Sequence, residues 1–404
     1  MKKALSMILL IALLISLCAC GSQPSAGQAT AENEPATIDT TATEADIAHL
    51  ESLYEGRTAY HGELHDHSNS GGRSDGKQTL TIWKSMMMGL EIDFATIVDH
   101  KQVRHMYLDE WDNTMFIGGT EAATWVQNTM GYITDEQNSI HYNMIFATPE
   151  PLLEIFEEFP EFPYTGGDPL EAEFPRYPHF TRERLAELAE AVKAKGGFFS
   201  HVHPKHNGYM NSDNPLDYWF ADETGLEVIN TYKSDRNGPN TQNNYKLWRD
   251  LLTMGKRVWA TAGNDEHNMP SEKGLSTIYA SDRNAQAYVD RLRVGDFAAG
   301  PVGVRMCIGD NLMGSTADSF AGKRVVISVG DFHKSVADDK HTYRIDVYGN
   351  EDVIFSQEFS CAETVYFAFD AGDCRFYRAE IYDVTLNSRI AIGNPIWSAE
   401  KMAQ

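Results

Sequence analysis

The sequence has 404 residues, more than one ordinary domain takes and comfortable for two. Hydrophobic residues make up 42% and charged residues 23%, which excludes a wholly disordered chain and calls for globular cores. The net charge of −24 argues against a partner held by a basic face, such as nucleic acid or an anionic membrane surface.

The first twenty residues read MKKALSMILLIALLISLCAC. Lys2 and Lys3 form a positive n-region and residues 4–17 an apolar h-region, the pattern of a secretory signal. The run is short for a permanent span, which needs about 20 apolar residues. It ends Leu17-Cys18-Ala19-Cys20-Gly21, which resembles a bacterial lipobox. Residues 1–19 are therefore expected to be a lipoprotein signal, with Cys20 acylated and the protein anchored to a membrane outside the cytoplasm. Cleavage removes two lysines and no acids, leaving 32 basic against 58 acidic residues and a net charge of −26. So acidic a surface needs a local positive site to capture an anionic substrate.

Residues 20–50 read as the lipidated cysteine and a disordered tether, rich in Ser, Ala, Thr, Gly and Pro. From 51 to 298 short apolar runs alternate with helical stretches, which predicts an α/β domain. Strands are expected over 93–98, 115–118, 140–147, 197–200, 225–230 and 257–261. Helices are expected over 182–195, with Thr181 as N-cap, and over 245–255. Residues 149–180 interrupt this rhythm with seven prolines and with Phe156, Phe159, Phe162, Tyr164 and Phe174. They read either as a pocket-shaping insertion or as a packed surface loop.

From 299 to 404 the texture changes to short strands over 325–329, 343–348, 353–355, 365–369, 377–384 and 390–397. Turn signals at Gly349-Asn350 and Ala371-Gly372-Asp373 separate them, which predicts a C-terminal β-sandwich-like domain. With Cys18 and Cys20 spoken for, Cys307, Cys361 and Cys374 remain, so at most one disulfide can form. Cys361 with Cys374 is the conceivable pair.

Metal-type side chains track the strand ends. His65 and His67 lie two apart, and residues two apart on a strand share a face. Two imidazoles on one face can hold one ion. The device recurs at His201 and His203 and at Asp265 and His267. His100 follows the 93–98 strand, Glu121 follows the 115–118 strand, and His141 opens the next. Such ends gather on one face of an α/β barrel. His49, His105, His179, His333 and His341 do not follow this pattern and read as structural or surface residues.

His65-x-His67, Ser74-Asp75-Gly76, Asp99-His100, Gly119-Thr120-Glu121, His141, His203-Pro204 and Asp265-x-His267 together resemble the polymerase-and-histidinol-phosphatase (PHP) superfamily. The match covers about residues 58–270. The resemblance implies a distorted (β/α)7 barrel with up to three ions. His65, His67, Glu121 and Asp265 would hold one, Glu121, His141 and His203 a second, and Asp75, His100 and His267 a third. His203 is preferred over His201 because it precedes Pro204 as in the family. The C-terminal segment ending Asn394-Pro395-Ile396-Trp397 more loosely resembles the carbaryl-hydrolase-like branch.

Imidazole and carboxylate ligands suit zinc, manganese or iron. Two or three such ions imply hydrolysis by hydroxide activated between them near Glu121 and Asp265. Asp66 or Asp99 could orient the ligating histidines. Arg73, Lys101, Arg104 and Lys205 are candidate contacts for a phosphate, with Lys233 and Arg236 further ones. The leading expectation is a phosphoesterase for a small phosphate ester. Carbamate or carboxyl ester cleavage at the same site is the alternative, and a non-catalytic metal- or ligand-binding lipoprotein a third. Nuclease action is disfavoured by the charge and by the lack of a basic, aromatic-lined strip.

Overall fold

The computed structural model describes residues 38–72, 74–100, 102–126, 139–162, 178–204, 212–232 and 235–403. The signal, Cys20 and the tether as far as residue 37 lie outside the described residues. The expected tether ends earlier than residue 50. Helix α1 (Glu44–Leu53) is closed by a capping box between Thr43 and Asp46, and Thr41 bridges to Phe367.

The chain then alternates. Strands β1 (Thr58–Asp66), β2 (Phe94–Ile97), β3 (Phe116–Val126), β4 (Ile140–Phe146) and β5 (His179–Phe180) come first. They are followed by β6 (Phe198–His201), β7 (Thr224–Asn230), β8 (Val258–Gly263), β9 (Leu275–Ala280) and β10 (Phe297–Ala299). Helices α2 (Leu80–Leu90), α3 (Glu150–Glu158), α4 (Arg182–Ala194), α5 (Pro239–Thr253) and α6 (Ala285–Leu292) lie between them. Thr181 caps α4 as expected, accepting from the Arg184 N–H. Helix α5 starts six residues before the expected Tyr245, because Gly238 and Pro239 form its first turn. Part of the 149–180 segment is core: α3 buries Leu152, Ile155 and Phe156, and Phe159, Phe162 and Phe180 pack beside them. Tyr164, Phe174 and the rest of 163–177 lie outside the described residues.

Strands β1, β2 and β3 pair in parallel, β4 runs antiparallel between β3 and β6, and β6, β7 and β8 are parallel again. The sheet curls back on itself. Past the end of β8, the Asp265 N–H donates to His65 O at 2.8 Å and the His67 N–H to Glu266 O at 2.9 Å. Those two bonds bring the ends of β8 and β1 side by side. Helices α3, α4, α5 and α6 bury apolar stripes against this sheet in one core.

The C-terminal strands are β11 (Val302–Ile308), β12 (Asn311–Leu312), β13 (Thr316–Ala317), β14 (Arg324–Phe332), β15 (Tyr343–Gly349), β16 (Asp352–Phe359), β17 (Val365–Asp370), β18 (Phe376–Asp383) and β19 (Ser388–Ser398), before helix α7 (Ala399–Met402). Strands β12, β11, β14 and β17 form a separate four-stranded sheet. Strands β16, β15, β18 and β19 extend the large sheet, because β10 pairs with β9 on one side and β19 on the other. The expected boundary at 298/299 falls inside β10. The small sheet and this extension share a second core that includes Met306, Ile327, Phe367, Ile345 and Ile381. Cys361 and Cys374 do not pair: all three described cysteines are free thiols, and Cys361 Sγ faces Asp339 Oδ1 at 3.9 Å. Among the described residues no helix is long and apolar enough to cross a membrane.

Candidate metal centre

The last residues of β1 set the site. His65 and His67 alternate with Leu64 and Asp66, so both rings leave the same face, with centroids 5.3 Å apart. The Glu121 N–H donates to Val98 O at 2.9 Å and the Thr120 hydroxyl to Asp99 O at 3.0 Å, so β3 carries Glu121 to the end of β2, where His100 follows. Strand β4 brings His141 opposite Ala123. His203 lies two residues past β6, and Asp265 two past β8. Both turn through left-handed backbone, at φ 31° and 51°, a conformation non-glycine residues adopt at some cost. Asp75 arrives on a loop that needs Gly76, since a Cβ there would overlap the carbonyls of His67 and Ser68.

The nine side chains singled out in the sequence converge in three groups, each close enough to hold a metal ion. One is His65, His67, Glu121 and Asp265; another is Glu121, His141 and His203. The last is Asp75, His100 and His267, which His67 also joins, so His67 is shared as well as Glu121. Within each group the ligand atoms lie within 4.8 Å of one another.

Glu121 is the hub. Its Oε1 lies 2.6 Å from His141 Nδ1 and 3.1 Å from His203 Nε2. Its Oε2 lies 3.1 Å from His67 Nε2, 3.2 Å from His100 Nδ1 and 3.4 Å from His65 Nε2. The centre is buried on one side and open on the other. Side chains of His65, His67 and Glu121 are at most 1% exposed, whereas Asp75 is 46%, His100 21% and His267 20% exposed.

The electrostatics call for positive charge inside the cluster. Burial pushes the Glu121 carboxyl up, but His100, His141 and His65 outweigh it and hold the group well below its ordinary range. Asp265 is lowered against burial by His65, His67 and His203, and Asp75 to about 2 by His267, His100 and His67. Burial lowers His65 and His67, yet their carboxylate neighbours raise both, His67 to about 10. Burial dominates at His100, which falls to about 4. Two of these carboxylates, Glu121 and Asp265, are ionised away from water and require cations beside them, either protons on imidazole or metal ions. The residues fit metal ions: His65 Nε2, both His67 ring nitrogens and Glu121 Oε2 are buried without a hydrogen-bond partner. The donor set of imidazole nitrogen and carboxylate oxygen is that of zinc, manganese or iron.

Other expected roles fall differently. His201 stays out of the centre: it is buried, its Nδ1 donates to Tyr218 O at 3.0 Å, and it stacks on Tyr218. Asp99 does not orient a histidine of the cluster. It accepts from Ser68 N at 2.7 Å, from the Ser68 hydroxyl at 2.9 Å and from Ser70, and faces His105 at 3.4 Å. Asp66 is buried beside Glu63, and burial with that neighbour raises its carboxyl. The carboxylate that does meet a ring nitrogen from behind is Glu227, which the sequence reading did not single out; its Oε1 lies 3.2 Å from His65 Nδ1. Its position in β7 carries no motif, only a buried acid in a strand.

Arg73, Lys101, Lys205 and Lys233 lie outside the described residues. Arg104 packs against the turn at Gly71, its Cζ 3.5 Å from where a Cβ would stand. Arg236 is engaged by the backbone, donating to the carbonyls of Glu272 and Lys273.

No family model matches the sequence, and no curated protein does. Solved structures give distant likenesses. A two-domain protein from Bacteroides vulgatus containing a predicted PHP-like metal-dependent phosphoesterase aligns at 14% identity and TM-score 0.39, over 84% of this chain and 96% of that one. Endonuclease Q, in complex with a 27-mer duplex bearing an abasic lesion, aligns at 16% identity and TM-score 0.40, over 59% of this chain and 58% of that one. The lesion-specific endonuclease from Pyrococcus furiosus gives 16% and 0.40, over 59% and 57%.

Proposed function

We propose that the chain is a metal-dependent hydrolase of the PHP superfamily that cleaves a small phosphate ester at a centre of two or three divalent ions. The observation that carries this reading is Glu121, one buried carboxylate whose two oxygens face separate sets of imidazoles. On this reading His65, His67, Asp75, His100, Glu121, His141, His203, Asp265 and His267 are the ligands. Ions held there would lower the pKa of a bound water and neutralise charge developing on the phosphoryl oxygens. The chain's part is to fix the geometry. Glu121 and His67 tie the groups together, and the buried His65 side excludes bulk water. The partly exposed Asp75, His100 and His267 mark the side from which substrate enters. Arg236 is spent on backbone carbonyls, so on this reading anion capture falls to the ions together with Arg73, Lys101 and Lys205, which lie outside the described residues.

The closing of β8 onto β1 and the helices outside the sheet support the (β/α)7 barrel reading, and the shared core of the small sheet supports a C-terminal sandwich. Anchoring outside the cytoplasm through Cys20 belongs to the same proposal, and rests on the signal pattern alone. The experiment is metal analysis of the purified chain with a substrate panel in manganese or zinc. Phosphomonoesters or small diesters should be cleaved, and cleavage of aryl carbamates or carboxyl esters alone would move the assignment to the other ester class. Preference for lesion-bearing duplex DNA would overturn the small substrate, which the acidic surface favours.

A further inference from the structure

Glu227 touches two of the three groups from behind without belonging to either. Its Oε1 meets His65 Nδ1 at 3.2 Å. Its Oε2 accepts the backbone N–H of His203 at 2.7 Å and the Asn230 side-chain amide at 2.9 Å. Both His65 and Glu227 are 1% exposed, so no water competes for these contacts. The His203 contact falls on left-handed backbone, at φ 31° and just before Pro204, where an unsupported chain would relax toward extended geometry. Across the sheet Gly263 leaves the room: a Cβ there would overlap Glu227 Oε1 and stand 2.8 Å from His65 Cβ.

We infer that Glu227 is a positioning residue that couples two ion positions, setting the ring of His65 and the backbone of His203 with one carboxylate. A carboxylate only accepts, so the proton of neutral His65 must sit on Nδ1. The lone pair is then on Nε2, the nitrogen that faces Glu121 and Asp265 at 3.4 and 3.6 Å. The same carboxylate's other oxygen pins the turn that points His203 Nε2 at Glu121. This rests on the metal-centre reading proposed above and deepens it. A glutamine in the same space turns an amide NH2 either toward His65 Nδ1 or toward the His203 N–H and the Asn230 amide. Either the His203 N–H loses its acceptor, or His65 takes the other tautomer and loses its lone pair toward the ions.

The test titrates the full chain, stripped of metal, with Zn²⁺ or Mn²⁺ as wild type, Glu227→Gln and Glu227→Asp, counting ions per chain and apparent affinity. Glu227→Gln is expected to lose at least one ion, or to weaken binding by roughly 10–100-fold. Glu227→Asp is expected to retain more metal, because it keeps two accepting oxygens although it fits the space less well. A space-filling role gives the reverse order, and that order, or a fully loaded Glu227→Gln beside a fully loaded wild type, overturns the inference alone. A wild type that takes up no ion removes the metal-centre reading itself. If Glu227→Gln does not fold, the metal-loaded crystal structure of the unaltered chain decides. An ion on His65 Nε2 with Glu227 still against Nδ1 supports the assignment, and an ion on Nδ1 overturns it.

Discussion

Glu121 faces five imidazoles with two oxygens, and no single proton arrangement satisfies them all. That crowding is why single changes here should act on ion binding before they act on folding. Asp265→Ala and His67→Ala are expected to abolish ester hydrolysis and lower the ion count, His67 more broadly because it belongs to two groups. Steady-state rates together with metal analysis check this; full activity in either variant contradicts the site. Gly76→Ala should push Asp75 off its neighbours and empty the open position first, read as a loss of the weakest-bound ion. His201→Phe is the contrasting case: removing the donor to Tyr218 O should cost about 1–3 kcal/mol of stability and leave the ion count alone. Most of the nine candidate positions were legible because they lie at or near strand ends, whereas Asp75, on a loop, came only from the family resemblance. The separation of His203 from His201 was not legible on spacing alone. It depends on the left-handed turn at His203, which alternation along a strand does not foretell. Glu227 was illegible for a related reason: a buried acid has no signature until its partners are placed.

At the level of elements, most strand and helix centres were legible from apolar runs, and the errors have physical causes. Helix α2 escaped because its outer face is apolar too: Ile82 is 42% and Met88 64% exposed, which blurs the helical period that Leu80, Trp83 and Met87 define. Helix α1 escaped because it follows a polar stretch and buries only Asp46 and Leu50 along its length. Its stability leans on the capping box, so Thr43→Ala should cost about 1 kcal/mol, read as a lower unfolding midpoint with turnover unchanged. Strand β10 hid the junction between the two halves of the chain, being three buried residues long. There Asn394 accepts from the Ala260 N–H at 2.8 Å and donates to Phe297 O at 3.2 Å, fully buried. Asn394→Leu removes both of these side-chain bonds to buried backbone and should cost about 2–4 kcal/mol, since each buried polar group that loses its partner costs about 1–3. Urea unfolding gives that number, and a neutral result would mean the junction is not held there.

For the whole molecule, part of the pH dependence of stability comes from histidines outside the metal cluster. Burial depresses His201 to about 3, and burial with His333 nearby depresses His61 to about 3. Unfolded, each titrates near 6.5. Between those values the unfolded chain binds protons that the folded chain refuses, so stability falls as pH drops from about 6.5 toward 3. His201 alone contributes about 1.4 kcal/mol per pH unit in that window. The His201→Phe chain should show a shallower acid slope in unfolding experiments, and an unchanged slope would exclude this source. If the cluster holds ions as proposed, metal removal should lower stability at neutral pH, because a site formed only in the folded chain stabilises that chain when filled.

The most direct test of the account is the ion content of the full chain, purified without chelator and desalted in neutral buffer, with His67→Ala alongside. Two or three zinc, manganese or iron ions per wild-type chain, and fewer in His67→Ala, is the expected result. A folded wild-type chain that holds no divalent ion and takes none up on titration would contradict it.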